Sequence, residues 1–302
     1  MGKYTIHERP FGFLHRPRVE PGSMVWYFNR DKIAFTSLLL FLIIILCAVF
    51  APWLAPYPNE GIGEPNISNK LLPPSSEHFF GTDLLGRDLL SRILFGARIS
   101  LVASFSIVTL ALVIGTVLGA FAGYFGGGVD EVIMRITDIF LAFPSLLLAM
   151  VIASVLDPSL ENAIISIGFA WWPWYTRLAR AQAISIRERD YVKAAMGIGV
   201  NNLAIIRRHI LPNLLTPILV QGTLDLGAAI LTLAALSFLG LGVPAPTPDW
   251  GSMVREGRLY LLGGFWWLSI FPGLALFITI LVLNLIGDGI QEVSNPRSRR
   301  EA

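Results

Sequence analysis

Cysteine is nearly missing: Cys47 is the one thiol in 302 residues, so no intrachain disulfide can form. Histidine is scarce as well. His7, His15, His78 and His209 are too scattered to make a zinc site with that thiol, or a catalytic pair. Charge is thin, at 15% of residues, and mean hydropathy is +0.63. That balance is too apolar for an ordinary soluble fold and points to an integral membrane protein. The chain has no G-x-x-x-x-G-K-[ST] phosphate loop, no G-x-S-x-G elbow and no H-E-x-x-H helix. It is therefore not its own ATPase by that route, and neither the serine hydrolase nor the zinc protease pattern is present.

What is present is a series of long apolar runs. Spanning backbone must satisfy its own hydrogen bonds, and continuous runs without alternation select helices over a barrel. The sequence predicts an all-α membrane protein with six transmembrane helices: Ile33–Ala55, Ile99–Tyr124, Glu131–Leu156, Asn162–Ile184, Leu214–Leu241 and Phe265–Ile290. Roughly thirty polar residues precede the first run, and it is long enough to span, so it does not read as a cleavable signal. The domain plan is a cytoplasmic segment 1–32, a first helix 33–55 and an extracytoplasmic segment 56–98. A core 99–290 with a cytoplasmic loop 185–213 and a cytoplasmic tail 291–302 complete it.

Details qualify these helices. Gly115, Gly119 and Gly123 form a small-residue stripe that lets another helix approach closely, or is ordinary packing. Trp171, Trp172, Pro173 and Trp174 interrupt the fourth run and suit an interfacial belt, or the lining of a pathway at a kink. Asp83, Arg87, Asp88 and Asp288 read as turn and capping groups rather than chemistry. Lys and Arg gather in the N-terminal region, the 185–213 loop and the tail, whereas 56–98 is more acidic than basic. The positive-inside rule then predicts both termini and the loop in the cytoplasm.

That loop, Tyr191–Asn213, reads YVKAAMGIGVNNLAIIRRHILPN. Ala194 and Ala195 are small enough for a partner's groove to close over them, Gly199 permits a turn, and Pro212 is placed to begin the next helix. A basic loop lying on anionic headgroups would explain the charges, but not this spacing. Lys193-Ala194-Ala195, Gly199 and His209-x-Leu211-Pro212 resemble the cytoplasmic EAA loop of ATP-binding-cassette import permeases.

Three further stretches resemble the C-type subunit of dipeptide and oligopeptide permeases: His78–Leu101, Ala235–Gly257, and Phe271–Gly289 with Asn284 and Gly287-Asp288-Gly289 in place. Together the matches run over roughly 33–296 and are specific for the peptide/nickel permease family. The resemblance implies a type I importer-like permease fold in the inner or plasma membrane of a prokaryote. Partners would be a second related permease, two ABC ATPases that hold the ATP and Mg, and usually an extracytoplasmic substrate-binding protein. No cofactor is expected in this chain, and no nucleic acid. The loop residues that would meet the ATPase are Tyr191, Val192, Lys193, Ala194, Ala195, Gly199, His209, Leu211, Pro212 and Asn213. One departure stands out: Lys193 occupies the family's glutamate position, so the acidic contact is absent or supplied by Glu188 or Asp190.

Asp225 falls within the fifth apolar run, where a carboxylate is costly and faces a bundle interior, a partner or water. It could attract the terminal amine of a peptide, or pair with a donor on a partner subunit. The substrate class the resemblance implies is short peptides, with nickel and oligosaccharides as alternatives in the same family. An ion-coupled secondary transporter would need midplane charges and commonly a repeat; Asp225 is thin support, and no repeat is visible. An intramembrane enzyme would need a catalytic pair within the helices.

Overall fold

The computed structural model describes residues 32–294. Segment 1–31 and the end of the tail, 295–302, lie outside the described residues, and with them most of the charge that the orientation argument used at the two termini.

Helix α1, Lys32–Val49, is outlying: its leucines and isoleucines are largely exposed, while Ala34, Ser37 and Ala48 are buried. Pro52 sits in the first turn of a separate short helix α2, Ala51–Leu54, because a residue without an N–H costs nothing there. Helix α3, Pro58–Ile62, lies near the start of segment 56–98.

Helix α4, Leu89–Phe125, is the central element. It begins ahead of the expected Ile99 because Asp88 caps it, accepting from the backbone N–H of Ser91 at 2.8 Å. At about 1.5 Å per residue its 37 residues reach about 55 Å, well beyond a hydrocarbon layer of roughly 30 Å.

The third expected helix is broken. Helices α5, Gly127–Leu141, and α6, Ser145–Val155, meet at an 87° bend. The cause is Phe143-Pro144: the proline ring pushes the preceding residue out of the helical region, and Pro144 itself is extended at ψ 127. Helix α7, Leu160–Arg187, runs unbroken through Pro173, so the tryptophan cluster does not end it.

Helices α8, Asp190–Gly197, and α9, Asn202–Ile205, belong to the basic loop. A π turn, Ile206–Ile210, joins α9 to helix α10, Leu211–Phe238. Helix α11, Trp250–Arg258, is short and capped by Asp249, and α12, Trp267–Ser294, closes the bundle.

Among the described residues, four helical runs are long and apolar enough to cross a membrane: α1, α4, Asn202–Phe238 and α12. The bent pair α5–α6 makes a fifth if counted as one span. Six was expected. The sixth, α7, has the length but not the apolarity, and the reason lies in its position. It packs along α4 through Gly168, Ala179 and Ala183, so less of it needs to suit lipid.

The glycine stripe makes that packing possible. A Cβ on Gly123 would lie 2.6 Å from the Arg180 carbonyl oxygen and 2.7 Å from Ala183 Cβ. One on Gly119 would lie 2.6 Å from Ala179 Cβ, and one on Gly115 2.6 Å from the Trp172 carbonyl oxygen. The backbones touch, and only glycine fits.

Segment 56–98 is tied down by buried polar groups. Arg87 Nε donates to Asp83 Oδ2 at 2.6 Å, and Asp83 Oδ1 accepts from the N–H groups of Leu85 and Arg87. His78 and Asp88 meet at 2.9 Å. Trp250 Nε1 donates to the Ile93 carbonyl at 3.1 Å and Trp267 Nε1 to the Thr82 carbonyl at 3.3 Å, stapling α11 and α12 to this segment. Asp83 and Asp88 thus hold turns and a helix start, as their sequence context indicates.

Candidate functional site

The basic loop is built from two short helices and one glycine. Helix α8 ends in a Schellman motif: the N–H of Val200 bonds the Ala195 carbonyl at 3.1 Å and that of Gly199 the Met196 carbonyl at 3.0 Å. Gly199 has φ +79° with nothing near the place of a Cβ, so the requirement for glycine is one of backbone angle, not space. Asn201 then caps α9, accepting from the N–H of Leu203 at 2.8 Å.

At the far end of the loop Pro212 falls in the first turn of α10, as expected, but no break precedes it. Asn202–Phe238 is one continuous helical run with Pro212 inside it. The π turn ahead of it absorbs the ring: the N–H of Leu211 reaches the Ile206 carbonyl, a longer step than an α turn makes. Asn213 Nδ2 donates to the His209 carbonyl at 2.7 Å, and the Tyr191 and His209 rings lie 5.9 Å apart.

Inward and outward faces separate cleanly. Val192, Ala195, Ile205, Ile206 and Ile210 are buried against the bundle. Ala195 therefore packs inward, whereas Ala194 faces out; the two alanines do not share one face. Leu211 is half-buried, and Pro212 and Asn213 are exposed. Outside, Tyr191, Ala194 and Ile198 follow one helical side, with Ile198 82% and Leu203 61% exposed. Ile198 and Leu203 were not singled out from the sequence. The signal was there: an isoleucine between Gly197 and Gly199 in a polar loop has no local reason to be apolar.

Lys193 bonds Glu188 at 2.9 Å in an exposed pair. The Lys193 ammonium holds the Glu188 carboxyl below the usual carboxylate range. Glu188, one of the two candidates to supply the acidic contact, is thus engaged with Lys193, while the other, Asp190, sits in the first turn of α8, where a negative charge suits the helix dipole.

Asp225 lies on α10, half-buried. Tyr175 Oη donates to its Oδ2 at 2.6 Å and Gln221 Nε2 to its Oδ1 at 3.1 Å. Each oxygen has one donor and spare lone pairs. Gln221, Asp225 and Thr232 form a partly exposed polar stripe on a helix otherwise rich in leucine and alanine. Such a stripe does not suit lipid.

Fold and loop together define a multi-pass membrane permease. Residues 115–300 match the family described as binding-protein-dependent transport system inner membrane component, and 21–74 match the N-terminal TM domain of oligopeptide transport permease C. The chain belongs to this family. It is 46% identical to a dipeptide transport system permease of Alkalihalophilus pseudofirmus, over 90% of this chain and 88% of that protein. It is 43% identical to a probable D,D-dipeptide transport system permease of Escherichia coli K12, over 93% of each. A glutathione transport system permease of another E. coli strain is 40% identical over 89% of this chain and 88% of its own length. Among solved structures, an inward-facing MetNI methionine ABC transporter chain superposes with TM-score 0.52 at 19% identity, covering 68% of this chain and 96% of that one. That likeness bears on the fold, which is that of an ABC importer permease.

Proposed function

We propose that this chain is a permease subunit of an ATP-driven importer of short peptides. It works with a second related permease, two ABC ATPases that carry the ATP and Mg, and an extracytoplasmic substrate-binding protein. No cofactor is assigned to this chain itself. The peptide relatives support the substrate class. The observation that carries the motor contact is the loop: a glycine-hinged helix pair whose inner face is anchored while Tyr191, Ala194, Ile198 and Leu203 stand in solvent. A loop with no partner has no reason to keep such a face apolar.

In this reading the loop and both termini face the cytoplasm, and ATP binding on the partner subunits moves the loop as a lever between two states of the helices. Asp225 lies along the substrate path, where its open lone pairs can receive a peptide's terminal ammonium. The test is co-purification from the native membrane followed by reconstitution. Two ATPases and a second permease in the complex, with ATP-dependent uptake of labelled dialanine, are expected. A chain isolated alone that transports on an ion gradient would overturn the reading.

A further inference from the structure

One polar contact ties the basic loop to the helix that anchors the bundle. Tyr124, buried near the end of α4, donates its hydroxyl hydrogen to Asn202 Oδ1 at 2.8 Å, across 78 positions of sequence. Asn202 opens the second loop helix. Tyr124 also lies beneath Arg187, whose guanidinium carbon is 5.9 Å from the ring centroid at the end of α7, just before the loop begins. The ring therefore touches the segment that enters the loop and the segment beyond its glycine hinge.

The rest of the loop's hold on the core is apolar, through residues such as Val192, Ile205 and Ile210. Apolar contacts are not directional. They keep the loop against the bundle without fixing where it sits along it, whereas a hydrogen bond has a narrow distance and angle. Tyr124 is also mounted where α4 and α7 pack closely, since Gly123 beside it brings the α4 backbone against that of α7. Packing and the cation–π contact would be served equally by phenylalanine. The hydroxyl is what distinguishes tyrosine, and its partner is on the loop.

We infer that Tyr124 is a positioning residue that fixes the register of the basic loop on the α4–α7 pair through Asn202, so that displacement of the loop moves those helices. The inference rests on the loop being the ATPase contact. It sets how much transport each ATP yields, rather than whether ATP is hydrolysed.

The experiment uses the whole reconstituted complex and reads ATP hydrolysis and uptake of labelled dialanine in the same vesicles. Tyr124→Phe and Asn202→Leu are expected to lower dialanine imported per ATP by about three- to tenfold, the scale of one lost hydrogen bond. Hydrolysis and the yield of assembled complex stay at wild-type levels. Asn202→Asp, whose carboxylate still accepts from the tyrosine hydroxyl, is expected to keep the wild-type ratio. An unchanged ratio in Tyr124→Phe overturns the inference alone. So does a loss of uptake that falling complex yield accounts for in full. A wild-type complex that binds no ATPase overturns the underlying reading of the loop and the inference with it.

Discussion

Segment 56–98 and the basic loop are both polar stretches between apolar helices, yet they handle charge in opposite ways. In the first, buried Asp83 is paired with Arg87 and Arg92, and buried Asp88 with His78. In the second, Lys193, Arg207 and Arg208 stand in solvent beside exposed Ile198 and Leu203. Charges taken out of water must be paired and hydrogen-bonded, which makes a rigid plate. A loop that leaves charges and apolar groups open has surface available for a partner. The difference separates scaffold from working part.

Substitutions can break that contrast. The largest effect on stability is expected from Arg87→Ala, which takes the nearer guanidinium from buried Asp83, leaves it only Arg92 at 3.5 Å, and should cost up to about 3–5 kcal/mol. Denaturant unfolding in detergent measures it, and a loss near zero would mean the plate is not the scaffold. Gly119→Val comes next: its side chain must displace Ala179 or part α4 from α7, at about 1–3 kcal/mol. A midpoint unchanged from wild type would contradict the close backbone approach.

Gly199→Val acts on the working side. It forces a β-branched residue to positive φ, at about 1–2 kcal/mol locally. Uptake should fall to background while membrane insertion is normal, and normal uptake would remove the docking role. Asp225→Asn keeps the size and the bond from Tyr175 but loses the charge. Uptake of dialanine should drop several-fold with complex assembly intact, and unchanged kinetics would end the path assignment. The smallest effect is expected from Lys193→Ala. It opens an exposed ion pair with Glu188, and such pairs are screened by solvent. Unfolding should not change; a large shift would mean the loop is scaffold after all.

Much of the fold was legible because lipid demands long apolar runs, and α1, α4, α10 and α12 each have one. The break at Pro144 was missed because hydropathy does not sense direction; the apolar run continues while the backbone turns. Helix α7 was expected at Asn162–Ile184 and runs Leu160–Arg187; only the interruption suggested by Trp and Pro is missing, overridden by packing against α4. At the loop, the glycine hinge was visible in the spacing. The inward turn of Ala195 was not, because the two alanines look alike until the helix is seated. Nor was the π turn, a local answer to Pro212 arriving within a helix that must continue.

The order of residues is enough to settle the membrane setting, the glycine stripe, the hinge at Gly199 and the absence of a phosphate loop, because each follows from composition or from a local backbone requirement. Packing alone decides which helix the stripe receives, that Tyr175 and Gln221 hold Asp225, and that Tyr124 meets Asn202. Except for Gln221, one turn from Asp225 on the same helix, those contacts join residues distant in the chain, and only the burial of one helix against another brings them within reach.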